Sequence, residues 1–227
     1  MDSAGQKGTG KWTAIDALQQ GIPLTLIGEA VNARFLSALH DERQLAASIL
    51  DTPTARKSFD QAQLQTLLNA IRDALYAAKI VSYAQGFMLM RAASEQYDWQ
   101  LQYGDIALLW RGGCIIRSRF LGDIKAAYQG NPELRNLLLD EFFASALHAA
   151  EAGWRRTVGL GVELGIPLPA FSAALAFFDG YRRKRLPANL LQAQRDLFGA
   201  HTYQRTDRAG IYHTDWVGDQ QEVKVND

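Results

Sequence analysis

The stretch from Gly5 to Trp12 places two lysines, Lys7 and Lys11, among three glycines near the start of the chain. Glycine lets the backbone approach a ligand closely, and each lysine adds an ammonium ion. Accessible backbone N–H groups and cations together can bind a phosphate or a carboxylate. The stretch therefore predicts a mobile anion-binding loop, although the spacing alone fits a flexible segment without function equally well.

A nucleotide-binding loop is an alternative interpretation of the same stretch. Gly5, Gly10 and Lys11 match the G-x-x-x-x-G-K part of a P-loop. The next position should supply the Ser or Thr hydroxyl that binds magnesium, but it is Trp12. A P-loop also follows a strand, and almost no chain precedes this loop. A nucleotide hydrolase is therefore disfavoured.

Three further side chains, Arg34, Arg195 and His201, are candidates for binding an anion. Two guanidinium groups and a lysine can hold a phosphate dianion by charge-assisted hydrogen bonds, some of them bidentate. Arg195 and His201 are six positions apart at the end of a predicted helix, so both could face one cleft. Taken singly, each of these side chains is more commonly a solvated surface charge than a ligand.

Several kinds of catalytic centre lack their signature in this sequence. There is no H-E-x-x-H motif, no paired cysteine motif and no histidine cluster, so no metal site is expected. There is no G-x-S-x-G elbow, and no G-x-G-x-x-G motif follows a strand, which argues against a dinucleotide-binding fold in this chain. The single cysteine, Cys114, excludes an internal disulfide and fits the reducing cytosol.

The composition limits the possible partners. The 227 residues contain 24 Lys and Arg against 24 Asp and Glu, and 48% of them are hydrophobic. A neutral chain without basic blocks argues against nucleic acid or a membrane surface as the partner. No apolar run is long enough to span a bilayer, and the first residues have no signal-peptide pattern. The abrupt polar start suggests a piece of a longer protein.

Apolar residues recur every three to four positions along most of the chain, and no sustained period-two alternation occurs. The pattern predicts an all-α domain at residues 1–185 and a C-terminal tail at residues 186–227. Ser58 and Gln61 form a possible capping box, and Gly86 suggests a close approach of two helices. The segment His213 to Trp216 predicts that the tail docks on its own domain or on a partner subunit.

One short internal repeat is visible. Gly21-Ile22-Pro23-Leu24 recurs as Gly165-Ile166-Pro167-Leu168. Each copy follows a predicted helix that begins near a tryptophan and precedes an amphipathic helix. The shared context suggests a duplicated helical unit.

Four longer motifs are more specific: Gly5 to Thr13, Tyr83 to Phe87, Leu109 to Ser118, and Leu186 to Tyr203. They closely resemble the C-terminal part of the decarboxylating 6-phosphogluconate dehydrogenase family. The resemblance covers almost the whole chain, and only the residues after Trp216 cannot be matched. It implies an all-helical domain with an internal duplication, and a homodimer whose C-terminal tails thread through the neighbouring subunit.

The resemblance also implies a function. The family is cytoplasmic and serves the pentose phosphate pathway and gluconate utilization, oxidising 6-phosphogluconate with NADP, or NAD in some members, to ribulose 5-phosphate and CO₂. Lys7 and Arg34 would bind the substrate, chiefly its phosphate. Arg195 would add a phosphate contact and His201 a contact to the sugar-acid chain, both in the partner's site.

The family's nucleotide-binding domain and its catalytic lysine and glutamate have no counterpart in these 227 residues. The chain alone is therefore expected to be inactive, with no catalytic or cofactor-binding residue of its own. A helical dimerisation module without a catalytic role is the alternative.

Overall fold

The structure, a computed structural model, describes residues 2–50 and 57–225. It is mostly helical, which confirms the predicted fold class. The α-helices in the described residues are α1 (Thr9–Gln19), α2 (Thr25–Ala38), α3 (His40–Ile49), α4 (Gln61–Tyr97), α5 (Tyr103–Leu109), α6 (Leu121–Gly130), α7 (Glu141–Glu163), α8 (Pro169–Tyr181) and α9 (Ala188–Gly199). A 3₁₀ turn, Leu137–Leu139, precedes α7. None of the helices in this described part is both long and apolar enough to cross a membrane.

The chain divides into two units. The N-terminal unit ends at Asp179 and the C-terminal unit begins at Gly180. The predicted division at residues 185 and 186 assigned substrate binding and dimerisation to the first part and partner docking to the second. Those roles remain predictions.

The core of the N-terminal unit forms where α4 packs against α7. The buried face of α4 is rich in alanine, so the two helix backbones can approach closely. A Cβ atom at Gly153 of α7 would lie 3.1 Å from the Cα atom of Ala70 and 2.8 Å from Oδ2 of Asp73. The fully buried Trp154 next to it donates its indole N–H to the carbonyl of Phe171 at 3.2 Å. The crossing therefore depends on the absence of a side chain at residue 153.

We expect Gly153→Ala to lower the free energy of unfolding by about 1 to 3 kcal/mol, because the added methyl group must push the helices apart. Gly159→Ala on the same helix is the matched control, since nothing lies within 4 Å of its Cβ position. The control should be neutral or stabilising by up to about 1 kcal/mol, because alanine favours helix more than glycine does. Urea unfolding of both variants measures the difference. Equal effects would contradict this account of the crossing.

The buried side chain of Gln85 fixes the start of α2 against the middle of α4. Its Oε1 accepts the N–H of Leu26 at 3.0 Å, and its Nε2 donates to Oγ1 of Thr25 at 2.9 Å. The first N–H groups of a helix have no partner inside the helix, so this amide satisfies one of them. Gln85 thereby positions α2, the helix that carries Arg34.

The short sequence repeat is a repeated helix-ending turn. Gly21 and Gly165 have φ angles of +68° and +66°. In both copies the N–H of the following isoleucine donates to the carbonyl five residues earlier at 2.8 Å, and the glycine N–H donates to the carbonyl three residues earlier. This is the Schellman arrangement, in which glycine is favoured because it adopts a positive φ at little cost. The wider duplication stays a prediction.

The tail contains a small antiparallel sheet that was not predicted. Its strands are β1 (Tyr203–Gln204), β2 (Ile211–Thr214) and β3 (Glu222–Val225), in that order. The register pairs Tyr203 with Tyr212 and His213 with Val223. Strands of two to four residues are too short to show a period-two pattern in the sequence.

Three local predictions were wrong. The capping box at the start of α4 is formed by Asp60 and Gln63, not by Ser58 and Gln61. No atom lies within 4 Å of a Cβ placed at Gly86, so that glycine does not mark a close helix contact.

The third concerns the glycine-rich stretch, of which only the first part is a loop. Helix α1 begins at Thr9. Residues 2–8 contain no strand, so the described structure does not support the P-loop interpretation.

Candidate functional site

The first residues run antiparallel to α2 along its C-terminal half. Arg43, in α3, donates from Nη1 to Oδ2 of Asp2 at 2.9 Å. Ser37 accepts the N–H of Ala4 on its Oγ at the same distance. Two contacts at successive levels fix the direction of this segment.

A third contact joins the start of α1 to α2. A Cβ at Gly10 would lie only 2.9 Å from Cγ2 of Val31, so the start of α1 lies directly on α2. Lys7 is midway along the chain between residues 4 and 10, and Arg34 is midway between residues 31 and 37. From the direction of this segment we infer that the two predicted phosphate-binding side chains start near the same level of α2.

Gly8 brings Lys7 to the N-terminus of α1. Gly8 is the N-cap residue and has a φ of +104°, a conformation that other residues rarely adopt. Its side-chain position is also occupied, since a Cβ there would lie 3.3 Å from Nε1 of Trp12. No side chain caps α1, so its first N–H groups are available to a ligand and carry partial positive charge.

Both cations of this pair are available for binding. Lys7 and Arg34 are exposed, and neither forms an ion pair with another residue in the described ranges. An ammonium, a guanidinium and a helix N-terminus are groups that bind a phosphate dianion. The arrangement is a surface site, because neither residue lines one of the larger cavities.

Two cavities of the N-terminal unit lie elsewhere. One, of about 750 Å³, is mostly apolar and lies among α1, α2 and α8, with Lys11 and Asn32 among its polar residues. The other, of about 880 Å³, lies among α4, α5 and α6 and contains Arg91 and Lys125. None of the four predicted site residues lines either cavity.

Arg195 and His201 lie together at the C-terminal end of α9. Arg195 and Gly199 are four residues apart, so they share one face of the helix. The chain then turns back, and the ring of His201 covers Gly199 so closely that a Cβ there would lie 2.9 Å from Nε2. The histidine ring therefore covers the residue one helical turn after Arg195. Both side chains thus lie on one face of α9. Their role in substrate binding stays a prediction.

A buried carboxylate holds this end of α9 to the sheet. Asp196 is completely buried and accepts the backbone N–H groups of Thr202 at 2.9 Å and Thr214 at 3.0 Å. It also accepts the indole N–H of Trp216 at 2.8 Å and a hydrogen bond from Nδ1 of His213 at 2.9 Å. Because a carboxylate only accepts, His213 carries its proton on Nδ1.

These contacts determine the charge of Asp196. Burial alone would raise the pKa of its carboxyl group, but the hydrogen bonds from Thr214, His213, Trp216 and Thr202 outweigh that effect and lower the pKa to about 2. The group is therefore ionised at neutral pH. The segment His213 to Trp216 thus packs against α9 within the tail, and docking of the tail on its own domain or on a partner subunit stays a prediction.

Sequence reasoning missed three residues that support Arg195 and His201. They are Gln192, Asp196 and Gly199, none of which the sequence pattern singled out. The signal for Asp196 was weak, because the donors that bury it come from residues 6 to 20 positions later in the chain. Only the folded tail shows that its carboxylate is internal.

The chain matches a known family over most of its length. The family model described as "6-phosphogluconate dehydrogenase, C-terminal domain" matches residues 1–216. The decarboxylating 6-phosphogluconate dehydrogenase of Homo sapiens is 60% identical over 218 residues, which are 96% of this chain and 45% of that protein. The enzyme of the same name from Caenorhabditis elegans is 58% identical over 226 residues, 99% of this chain and 47% of that protein. The chain thus spans about half the length of the curated relatives it matches.

A solved structure shows the same fold. The 6-phosphogluconate dehydrogenase of Plasmodium falciparum superposes with a TM-score of 0.89 at 44% identity, over 95% of this chain and 46% of that chain. That protein is described in its apo form, with its cofactor NADP⁺ and with its substrate 6-phosphogluconate. The match confirms the resemblance that the sequence motifs indicated.

Proposed function

The chain belongs to the 6-phosphogluconate dehydrogenase family, as its C-terminal domain, and on this premise we propose that it supplies the substrate-phosphate site and the dimer contact of an NADP-dependent enzyme that converts 6-phosphogluconate to ribulose 5-phosphate and CO₂. The observation that supports the proposal is the run of the first residues along α2, from which we infer that Lys7 and Arg34 lie near one level of that helix, beside the uncapped N-terminus of α1. This arrangement suits the phosphate end of a sugar acid.

The part of the reaction assigned to this chain is positioning. The whole enzyme would oxidise carbon 3 of the sugar acid, release CO₂ from the resulting β-keto acid and let the enol tautomerise to the ketose. Lys7 and Arg34 would hold the phosphate of the substrate, which keeps carbon 3 in a constant place relative to the reacting groups. In the partner subunit's site, Arg195 would add a second guanidinium to the phosphate and His201 a contact to the sugar-acid chain.

The arginines of the folded tail do not fit the 2′-phosphate of NADP. The tail offers Arg205 and Arg208, but Arg205 is paired with Asp207 and with Glu222 at 2.7 Å, and Arg208 is also paired with Glu222. The 2′-phosphate of NADP would therefore meet cations that are already neutralised and carboxylates that repel it. We assign cofactor binding to the part of the relatives' length that this chain does not cover, and expect these 227 residues alone to be inactive.

A homodimer is part of the proposal because α4 carries an apolar stripe that no other element within residues 2–50 and 57–225 covers. The stripe residues are between 39% and 57% exposed and recur at helical spacing: Leu64, Leu68, Ile71 and Leu75. Leu45 and Ile49 of α3 are more exposed still. Surfaces of this kind mark protein–protein contacts. A second copy of the chain, with tails exchanged as the family resemblance implies, is the partner we propose.

The cellular setting follows the family. We place the protein in the cytoplasm, in the pentose phosphate pathway and gluconate utilization, and its single cysteine suits a reducing compartment. The second candidate is a helical dimerisation module without any part in substrate binding. It is favoured by the apolar stripe alone, and it predicts that the cations at Lys7 and Arg34 are dispensable.

Binding of 6-phosphogluconate by the 227-residue chain separates the two candidates. A ligand that binds only the folded state stabilises it by about 2.7 kcal/mol at 100 times its Kd, so a thermal-shift titration detects even weak binding. We expect a shift with 6-phosphogluconate beyond that with inorganic phosphate. Arg34→Ala should lower the affinity about tenfold or more, because a hydrogen bond between charged groups is lost.

The matched control is Arg119→Ala, which removes an exposed arginine elsewhere in the N-terminal unit. It should leave the titration unchanged. Equal affinities of the Arg34→Ala variant and the unmodified chain would contradict the proposed site and favour the dimerisation module. A shift with Mg-ATP alone would instead support a nucleotide site.

A further inference from the structure

The side-chain amide of Gln192 connects the two candidate substrate-binding residues of the C-terminal unit, Arg195 and His201. Its Oε1 accepts a hydrogen bond from Nη1 of Arg195 at 3.1 Å. Its Nε2 donates to the backbone carbonyl of Thr202, the residue after His201, at 2.5 Å. One amide group thus contacts the guanidinium of Arg195 and the turn that carries His201.

The chemistry of the partners fixes the orientation of this amide. A guanidinium can only donate and a backbone carbonyl can only accept. The oxygen of Gln192 must therefore face Arg195, and its nitrogen must face Thr202. A flipped amide would leave both partners unsatisfied, so the contact specifies a single arrangement.

The turn that Gln192 closes is a strained one. Ala200 and Thr202 have φ angles of +49° and +58°, in the left-handed region that favours glycine. Residues held in this region persist only where their surroundings impose the conformation, and they concentrate at ligand-binding sites. Here the N–H of Thr202 is held by Asp196 and its carbonyl by Gln192. The two side chains together keep His201 against Gly199.

We propose that Gln192 is a positioning residue, which fixes Arg195 and His201 relative to each other so that one phosphorylated sugar acid can contact both. The inference rests on the proposed function for its ligand, but the coupling itself is a property of the free chain. Without Gln192 the Arg195 side chain keeps its charge and loses its preferred conformation. The entropy of ordering it must then be lost on binding, which weakens affinity.

Order in the free chain tests the coupling without any ligand. The variant is Gln192→Leu, and the matched control is Gln194→Leu, the same substitution at an exposed position of α9. NMR relaxation of the Arg195 Nε–H and of the His201 and Thr202 amides reports their mobility. We expect all three groups to become more mobile in Gln192→Leu and to keep their mobility in the control. The β2 and β3 amides should be unchanged in both variants. Unchanged mobility at Arg195 in Gln192→Leu overturns the proposal.

A double-mutant cycle tests the consequence for binding. Gln192→Leu should weaken 6-phosphogluconate binding about tenfold in the unmodified chain. In an Arg195→Ala background the same change should cost only about threefold, because the part of the effect that acts through Arg195 is gone and only the part that acts through the turn of His201 remains. A purely structural role would give the same loss in both backgrounds and would overturn the proposal.

The two readouts separate this proposal from the proposed function. If the unmodified chain does not bind 6-phosphogluconate but Gln192→Leu still mobilises Arg195 and Thr202, the coupling stands and the proposed ligand is wrong. If the chain binds and the variant changes neither mobility nor affinity, the proposed function stands and the positioning role is wrong.

Discussion

Replacing Asp196 by asparagine should unfold the tertiary structure of the C-terminal unit while α4 and α7 stay folded. All four partners of this carboxylate donate hydrogen bonds, and an asparagine of the same shape would turn an NH₂ group toward two of them. A buried donor left without an acceptor costs about 1 to 3 kcal/mol. We therefore expect the free energy of unfolding of this unit to fall by about 3 kcal/mol or more.

Hydrogen exchange measures this effect locally. Amides of β2 and β3 should lose protection in Asp196→Asn, whereas those of α4 should keep it. Asp207→Asn is the matched control. Its carboxyl pKa is also lowered to about 2, mainly by the hydrogen bond from Arg205, but the group is exposed. Solvent screens such a pair, so its removal should change stability far less. Similar losses in both variants would show that burial of Asp196 is not what matters.

The same carboxylate gives the C-terminal unit a defined dependence on pH. The folded-state pKa of Asp196, about 2, lies below its ordinary value of 3.8. The unfolded state therefore takes up the proton first, so the contribution is complete above about pH 4 and is lost as the pH falls toward about 2. The pKa difference corresponds to about 2 kcal/mol. Exchange protection of β2 should decline over this range, and protection that stays constant to pH 2 would contradict the assignment.

Replacing Leu68 by glutamate should convert the proposed dimer into a monomer. Leu68 lies in the middle of the apolar stripe on α4 and is 51% exposed in the single chain. A glutamate there would place a charge in a desolvated contact, which is unfavourable. A symmetric interface would contain two such charges, one from each copy. Light scattering during size-exclusion chromatography should then give the mass of one chain, 25.2 kDa, in place of twice that mass.

A control on the same helix separates this effect from added charge. Asn69 is exposed and lies well away from the stripe around the helix axis, so Asn69→Glu should leave the dimer intact. Circular dichroism of both variants checks that the helices are retained. A monomeric mass for the unmodified chain would refute the dimer, and a dimeric Leu68→Glu variant would place the contact elsewhere.

A structural feature of this chain was predictable when residues close together in the sequence specify it. Helices α2 and α4 were predictable, because apolar residues recur along each of them at helical spacing. The capping box was misplaced by two residues, because Ser58 with Gln61 and Asp60 with Gln63 both fit the pattern. Only the backbone geometry shows that the helix begins at Gln61.

The candidate site divides in the same way. The types and order of Lys7, Arg34, Arg195 and His201 were present in the sequence, and the surrounding motifs indicated the family. Their placement could not be predicted from the sequence. The inferred position of Lys7 near Arg34 depends on contacts of the first residues with α2. Likewise, His201 is held against Gly199 by a turn whose angles no sequence pattern showed.

By itself, then, the sequence determined the helical class, the family and the cationic residues, since helix periodicity and motif spacing are properties of neighbouring positions. The tertiary structure alone decided that Asp196 is an internal anchor and that Gln192 joins Arg195 to the turn of His201. The reason is physical: a carboxylate is an anchor only where burial removes competing water and supplies donors. For Asp196 those donors include His213 and Trp216, which reach it only after the tail has folded.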